Sequence, residues 1–219
     1  VLEALAPGEW YLDRPSGRLH YAPRAGERPE TLVVEAPVLT SLLRIEGRPE
    51  EDRFVEGLRF QGIAFEHAAF PEAEPAVQAA WTTPGTLVLR GARSVSIEDG
   101  RVGGVGGYAV EIGPGCRDVR VVGNEITDVG AGGVKVDGSD AEGDPRLRTT
   151  TVAITDNHVH AIGRVLPSAI GVLVRHAADV EVAHNHIHDT FYTAISAGWV
   201  WGYTPSVTKA IRVERNHIH

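Results

Sequence analysis

Apolar and polar residues alternate in short bursts along most of this chain, and from residue 119 onward the bursts settle into one repeated phrase. Val119, Val121 and Ile126 flank Asn124; Val152, Ile154 and Val159 flank Asn157; Val180, Val182 and Ile187 flank Asn185; Ile211, Val213 and Ile218 flank Asn216. Period-two alternation on both sides of a fixed Asn predicts two short strands joined by a bend whose side chain points inward. These are the only four asparagines in the sequence, and they stand 33, 28 and 31 residues apart. Such spacing is too uneven for a helical repeat and natural for a solenoid with loops of variable length. The expected fold is therefore all-β, a parallel β-helix, with identical buried amides on successive rungs hydrogen-bonding as an Asn ladder.

The same frame extends toward the N-terminus. In VEGLRFQGIAFEHAAF (55–70) Leu58, Phe60 and Phe65 fit it with Ile63 at the bend, and SVSIEDGRVGGVG puts Gly100 there. Residues 8–21, GEWYLDRPSGRLHY, alternate around Pro-Ser-Gly and predict a hairpin with Trp10 and Leu12 facing Leu19 and Tyr21. The expected organisation is a lead-in over 1–30 followed by rungs over 31–219. After each bend a third strand recurs, carrying Val110 and Ile112, Val134 and Val136, Val172 and Val174, then Ile195 and Ala197. Counting from the bends isolates three insertions beside that strand, 138–148, 163–168 and 198–206. They are expected to wall a cleft whose floor is the strand's outward face, since loops on a rigid scaffold are where binding and catalysis concentrate.

Alternation puts Glu111, Lys135, Leu173 and Ser196 in one outward column and Gly113, Asp137, Arg175 and Gly198 in the next. Opposite charges then stack as Glu111 on Lys135 and Asp137 on Arg175, which reads either as surface ion pairing or as a polar substrate floor. Asp128 and Asp189 share a register two rungs apart, about 10 Å by strand spacing. That is at the edge of what an inverting carboxylate pair tolerates, and turn capping is the alternative. The aromatics Trp199, Trp201 and Tyr203, with Phe191 and Tyr192 just before them, offer flat faces for sugar stacking, because the Val and Ile columns already fill the interior. Six of the ten histidines fall in N-H-[VI]-H phrases, as His158 and His160, His186 and His188, His217 and His219. They form two exterior columns that no carboxylate or cysteine is expected to join, so a stacked ladder is preferred to a metal site.

The formal net charge of −8 argues against nucleic acid or anionic membrane partners and suits a neutral or weakly charged ligand. Cys116 is the only cysteine, which excludes an internal disulfide. Methionine is absent and the chain stops within a repeat, so a piece of a longer protein is expected.

Four phrases carry a family resemblance: GEWYLD-x-x-SG-x-L-x-Y-x-P at 8–23, GAGGVKV at 130–136, GR-x-x-PSAIGV at 163–172, and HNHIHDTFYTAIS-x-GW-x-WGY at 184–203. Over most of the chain this resembles right-handed parallel β-helix carbohydrate-active enzymes, and among them glycoside hydrolase family 141. Its members are similar to pectate lyases in fold and include α-L-fucosidase and xylanase activities. The resemblance implies a right-handed coil, a poly- or oligosaccharide partner, no cofactor, an extracellular or periplasmic location and a monomeric full-length protein. It also implies that the catalytic carboxylates of such relatives lie further along the chain than anything matched here. The reading is a glycoside hydrolase using carboxylate acid/base chemistry. Its candidate catalytic residues are Asp189, Asp128 and Asp137, and its candidate substrate-binding residues are Trp199, Trp201, Tyr203, Tyr192, Arg175, Lys135 and Glu111. A polysaccharide lyase and a non-catalytic carbohydrate-binding or adhesion β-helix are the alternatives.

Overall fold

The computed structural model describes residues 2–72 and 77–219, and they divide into two units, Val1–Ala36 and Pro37–His219. In the first unit Trp10–Asp13 pairs antiparallel with Arg18–Tyr21, which sets Trp10 against Tyr21 and Leu12 against Leu19. Gly17 closes the turn at φ 67°, a left-handed conformation that carries no steric penalty without a Cβ.

The second unit is a coil of three parallel sheets, with no α-helix among the described residues. The first sheet stacks Leu43–Glu46, Gly85–Arg90, Tyr108–Ile112, Val134–Asp137, Ile170–Arg175 and Thr193–Gly198. The second runs from Val55–Glu56 and Arg59–Gln61 through Ala92–Glu98, Arg117–Val122, Thr149–Thr155 and Ala177–Ala183 to Lys209–Glu214. The third holds Ala64–Ala68, Arg101–Val105, Glu125–Val129, His158–His160, His186–His188 and His217–Ile218. The chain visits the three sheets in turn, one rung per circuit.

Register follows the apolar frame. Val95, Val119, Val152, Val180 and Ile211 align down the second sheet, and Val110, Val134, Val172 and Ile195 down the first. These columns fill the interior, each buried Val or Ile contributing about 1.5–3 kcal/mol. Residues 32–42 form no strand and leave Val33, Val34, Val38 and Leu39 exposed, so the coil begins at Leu43 rather than at 31. Pro37 lacks an N–H for a ladder, which breaks the apolar phrase before it can pair.

At the corner between the second and third sheets, Asn124 Nδ2 donates to Asn157 Oδ1 at 3.1 Å, Asn157 Nδ2 to Asn185 Oδ1 at 3.0 Å, and Asn185 Nδ2 to Asn216 Oδ1 at 3.0 Å. Each Oδ1 also accepts the backbone N–H of the preceding Asn, and the amides donate further to carbonyls such as Ile97, Val121 and Ile154. Buried amides are thereby satisfied at both ends. Gly100 extends the series by donating its N–H to Asn124 Oδ1, and it is glycine because a Cβ there would stand 2.5 Å from the Ile63 carbonyl.

Candidate functional site

The outward face of the first sheet is partly roofed. Residues 77–84 cross it, with Ala79 bridged to Ala169 and Tyr108 Oη donating to the Ala79 carbonyl at 2.6 Å. Lys135, expected on an open floor, is 2% exposed because its Nζ rises into this segment and donates to the Trp81 and Thr83 carbonyls at 3.0 and 2.8 Å. Its ion pair with Glu111 measures 3.4 Å, and Glu111 in turn accepts the Gly85 N–H at 2.7 Å. Desolvation drives the Lys135 ammonium below its usual pKa, against the pull of Glu111. Both residues therefore pin the roof, and Lys135 does not present its charge to a ligand. Leu173 lies in the same column, fully covered in a small second core with Ala79, Ala80, Tyr108, Ala169 and Ile170. Gly132 belongs to this packing, since a Cβ there would collide with the Tyr108 ring.

Beside the roof the next column stays accessible. Asp137 faces Arg175 at 3.4 Å, both largely but not wholly covered. The approach lacks hydrogen-bond alignment: Arg175 Nε and Nη1 are buried with no hydrogen-bond partner among the described residues, as is Nδ1 of the adjacent His176. Burial raises the Asp137 pKa above its usual value, with Arg175 and Lys135 opposing the shift. The Arg175 guanidinium stacks 3.8 Å above the Trp81 ring and stands 5.7 Å from the Trp199 ring. Trp199 is anchored through Nε1 to Ser196 Oγ at 3.1 Å and packs on the small core, so it is a wall with its back in the interior. Trp201 meets it edge-on at 6.2 Å and is 74% exposed, and Tyr203 is fully exposed.

The remaining candidates lie elsewhere. Asp128, within the strand Glu125–Val129, and Asp189, just past the strand His186–His188, hold equivalent positions four residues after their Asn, both left-handed at φ 51° and 50°. Asp128 pairs with Arg164 at 3.8 Å, whereas Asp189 Oδ2 accepts from His188 Nδ1 at 2.9 Å. Asp189 and Arg164 line a recess of about 350 Å³ with Phe191, while Tyr192 is exposed nearby. A longer groove of about 670 Å³ follows the outer face of the second sheet past Arg120, Glu181 and Arg212, of which Glu181 and Arg212 pair across strands. Cys116 is buried, and desolvation pushes its thiol up to about 11, which removes it as a nucleophile.

Sequence reasoning missed Trp81 and the roof. The signal was present: from the bend at Ile63 to Leu87 the interval is 24 residues, against 10 from Gly100 to Val110. Applied one rung earlier, the same count marks a fourth insertion beside the same strand. The histidine columns also differ from expectation, because Asp189 joins His188 and Glu125 reaches His160 Nε2 at 3.5 Å.

No family model matches the chain, and no curated protein matches it. A solved structure named "Glycoside hydrolase" is similar in fold, with a TM-score of 0.81 and 20% sequence identity. The match covers 97% of this chain and 44% of that one, so this chain spans less than half the length of its neighbour. At that identity the likeness establishes the fold, a parallel β solenoid. Among the described residues no helix is long and apolar enough to cross a membrane.

Proposed function

We propose that the protein carrying this chain is a carbohydrate-active β-helix enzyme that hydrolyses glycosidic bonds in a poly- or oligosaccharide. Asp137 acts as proton donor, Arg175 binds sugar hydroxyls, and Trp81, Trp199 and Trp201 supply stacking faces. One observation carries this reading: a carboxyl whose burial favours its protonated form sits against a guanidinium whose buried Nε and Nη1 are unpaired, beside two indole rings. Hydrolysis needs one carboxylic acid to protonate the leaving oxygen and a second carboxylate to activate water or attack the anomeric carbon. Asp137 suits the first task better than Asp128 or Asp189, whose carboxylates are exposed and engaged by Arg164 and His188.

The fold of the neighbouring glycoside hydrolase supports the class of substrate. Right-handed winding and likeness to pectate lyases and to family 141 belong to the same proposal, because successive parallel strands of one sheet connect right-handedly in about 98% of cases. An extracellular or periplasmic location goes with a polymeric substrate.

A lyase would need a base and a cation against a uronate, and Lys135 is held away from that task by the roof. Product analysis separates the readings. New reducing ends without ultraviolet absorbance from an unsaturated uronate support hydrolysis, and that absorbance supports a lyase. Sugar binding with no product from any polysaccharide supports a binding module.

A further inference from the structure

We propose that the histidine face of the third sheet is a transition-metal site, in which His158, His160 and His188 bind one Zn²⁺-like divalent ion and tie two successive rungs together. One ligand atom of each of these three residues lies within 4.8 Å of the others. His158 and His160 project from one strand and His188 from the next, in a register that aligns His158 with His186 and His160 with His188.

The closest approach is diagonal. His158 Nε2 and His188 Nε2 stand 2.8 Å apart, while the His160 ring stacks on His188 at 5.1 Å and 11°. Tetrahedral zinc with Zn–N of about 2.0–2.1 Å separates ligand nitrogens by about 3.3 Å, so the cluster is already near ligand spacing. At 2.8 Å the His158 Nε2 carries the proton of a hydrogen bond to His188 Nε2, which moves to Nδ1 when the ion binds, and rotation about the broad χ2 well of histidine turns the lone pairs toward a common point.

The second observation lies outside the rings. Asp189 Oδ2 accepts from His188 Nδ1 at 2.9 Å, which fixes the tautomer that leaves Nε2 as a lone pair facing His158. A carboxylate behind a ligand imidazole is the arrangement that orients zinc-bound histidines and strengthens their binding. Thr127 Oγ1 lies 3.2 Å from His160 Nδ1 and orients that ring, while Glu125 Oε1, 3.5 Å from His160 Nε2, brings a second carboxylate to the cluster. The second triad, His186, His217 and His219, has similar spacing, with His186 and His219 Nε2 atoms 3.0 Å apart. It lacks a carboxylate partner among the described residues, so the ion goes to the first triad.

Three imidazoles leave the fourth tetrahedral position to water or to the neighbouring Glu125 carboxylate. The ion then cross-links His158 and His160 to His188, and it stabilises the folded coil by binding it in preference to the unfolded chain.

Calorimetric titration with Zn²⁺ after chelator treatment tests the proposal, with Co²⁺ absorption as a second reading of tetrahedral nitrogen ligation. The expected result is one binding event of micromolar or tighter affinity that raises the thermal midpoint. His158→Gln and His188→Gln, folded by circular dichroism, should each weaken it at least tenfold, Asp189→Asn should weaken it about tenfold, and His217→Gln should leave it in place. Absence of a micromolar event in the unaltered protein, its survival in His158→Gln, or its loss only in His217→Gln would overturn the assignment. Either of the first two outcomes reduces the His158–His188 contact to an imidazole hydrogen bond.

Discussion

The guanidinium of Arg175 lies 3.8 Å above the ring of Trp81, although 94 residues separate the two in sequence. Trp81 belongs to the roof that crosses the first sheet, and Arg175 to a strand beneath its edge. Their contact joins the rigid coil to the loop that limits access to it. It also keeps the Arg175 donors in reach of Asp137 without consuming them.

Replacing Trp81 tests that junction. Trp81→Leu retains apolar bulk but loses the cation–π stack, which is expected to cost about 1–2 kcal/mol in a partly desolvated setting. Urea unfolding should show the loss, and under the proposed function affinity for an oligosaccharide should fall with it.

Lys135 supports the roof from below. Lys135→Ala removes the ammonium from a buried pair, leaving Glu111 and the carbonyls of Trp81 and Thr83 without it. A loss of about 3–5 kcal/mol is expected, as for other buried pairs broken on one side. Proteolysis within residues 77–84 should accelerate as the roof detaches. A Lys135 that bound substrate directly would instead show loss of affinity with stability unchanged.

The asparagine corner makes an independent stability prediction. Asn157→Ala leaves the Asn124 backbone N–H and the Val121 carbonyl short of partners. At about 1–3 kcal/mol for each buried group left unsatisfied, a loss of at least about 2 kcal/mol is expected. For a chain of this size that is a fall of roughly 4–8 °C in Tm, measurable by calorimetry.

Asp137 couples stability to pH with a definite sign. Its native pKa is raised above the ordinary aspartate value of 3.8, so its contribution is fully present below that value and is lost as pH rises through the raised native pKa. The stability difference between the unaltered protein and Asp137→Asn should therefore move against the unaltered protein across that window. A difference that grew in its favour with rising pH would show that Arg175 outweighs desolvation.

Much of the coil could be read from the apolar frame. The bends at Asn124, Asn157, Asn185 and Asn216 and the columns through Val110, Val134, Val172 and Ile195 lie where the spacing indicated. The environment of the outward columns was less legible. Period-two alternation tells which side a residue faces, and it does not tell whether another segment covers that side. Lys135 and Leu173 face outward, yet a loop from an earlier rung buries both. An outward leucine beside an outward lysine was the available hint. Likewise, the link between Asp189 and His188 depends on a left-handed turn residue swinging its carboxylate back onto the preceding side chain, a local geometry that spacing alone does not reveal.

The most direct test of the proposed chemistry is the steady-state rate of reducing-end release by the protein carrying this chain, unaltered and as Asp137→Asn, on a polysaccharide it cleaves. A proton donor contributes about 10²–10⁴-fold, so kcat should fall by at least about 10²-fold with KM little changed. The alkaline limb of the pH profile should disappear with it. An Asp137→Asn enzyme that kept its full kcat and the same pH profile would contradict the assignment of Asp137 and with it the site described on the first sheet.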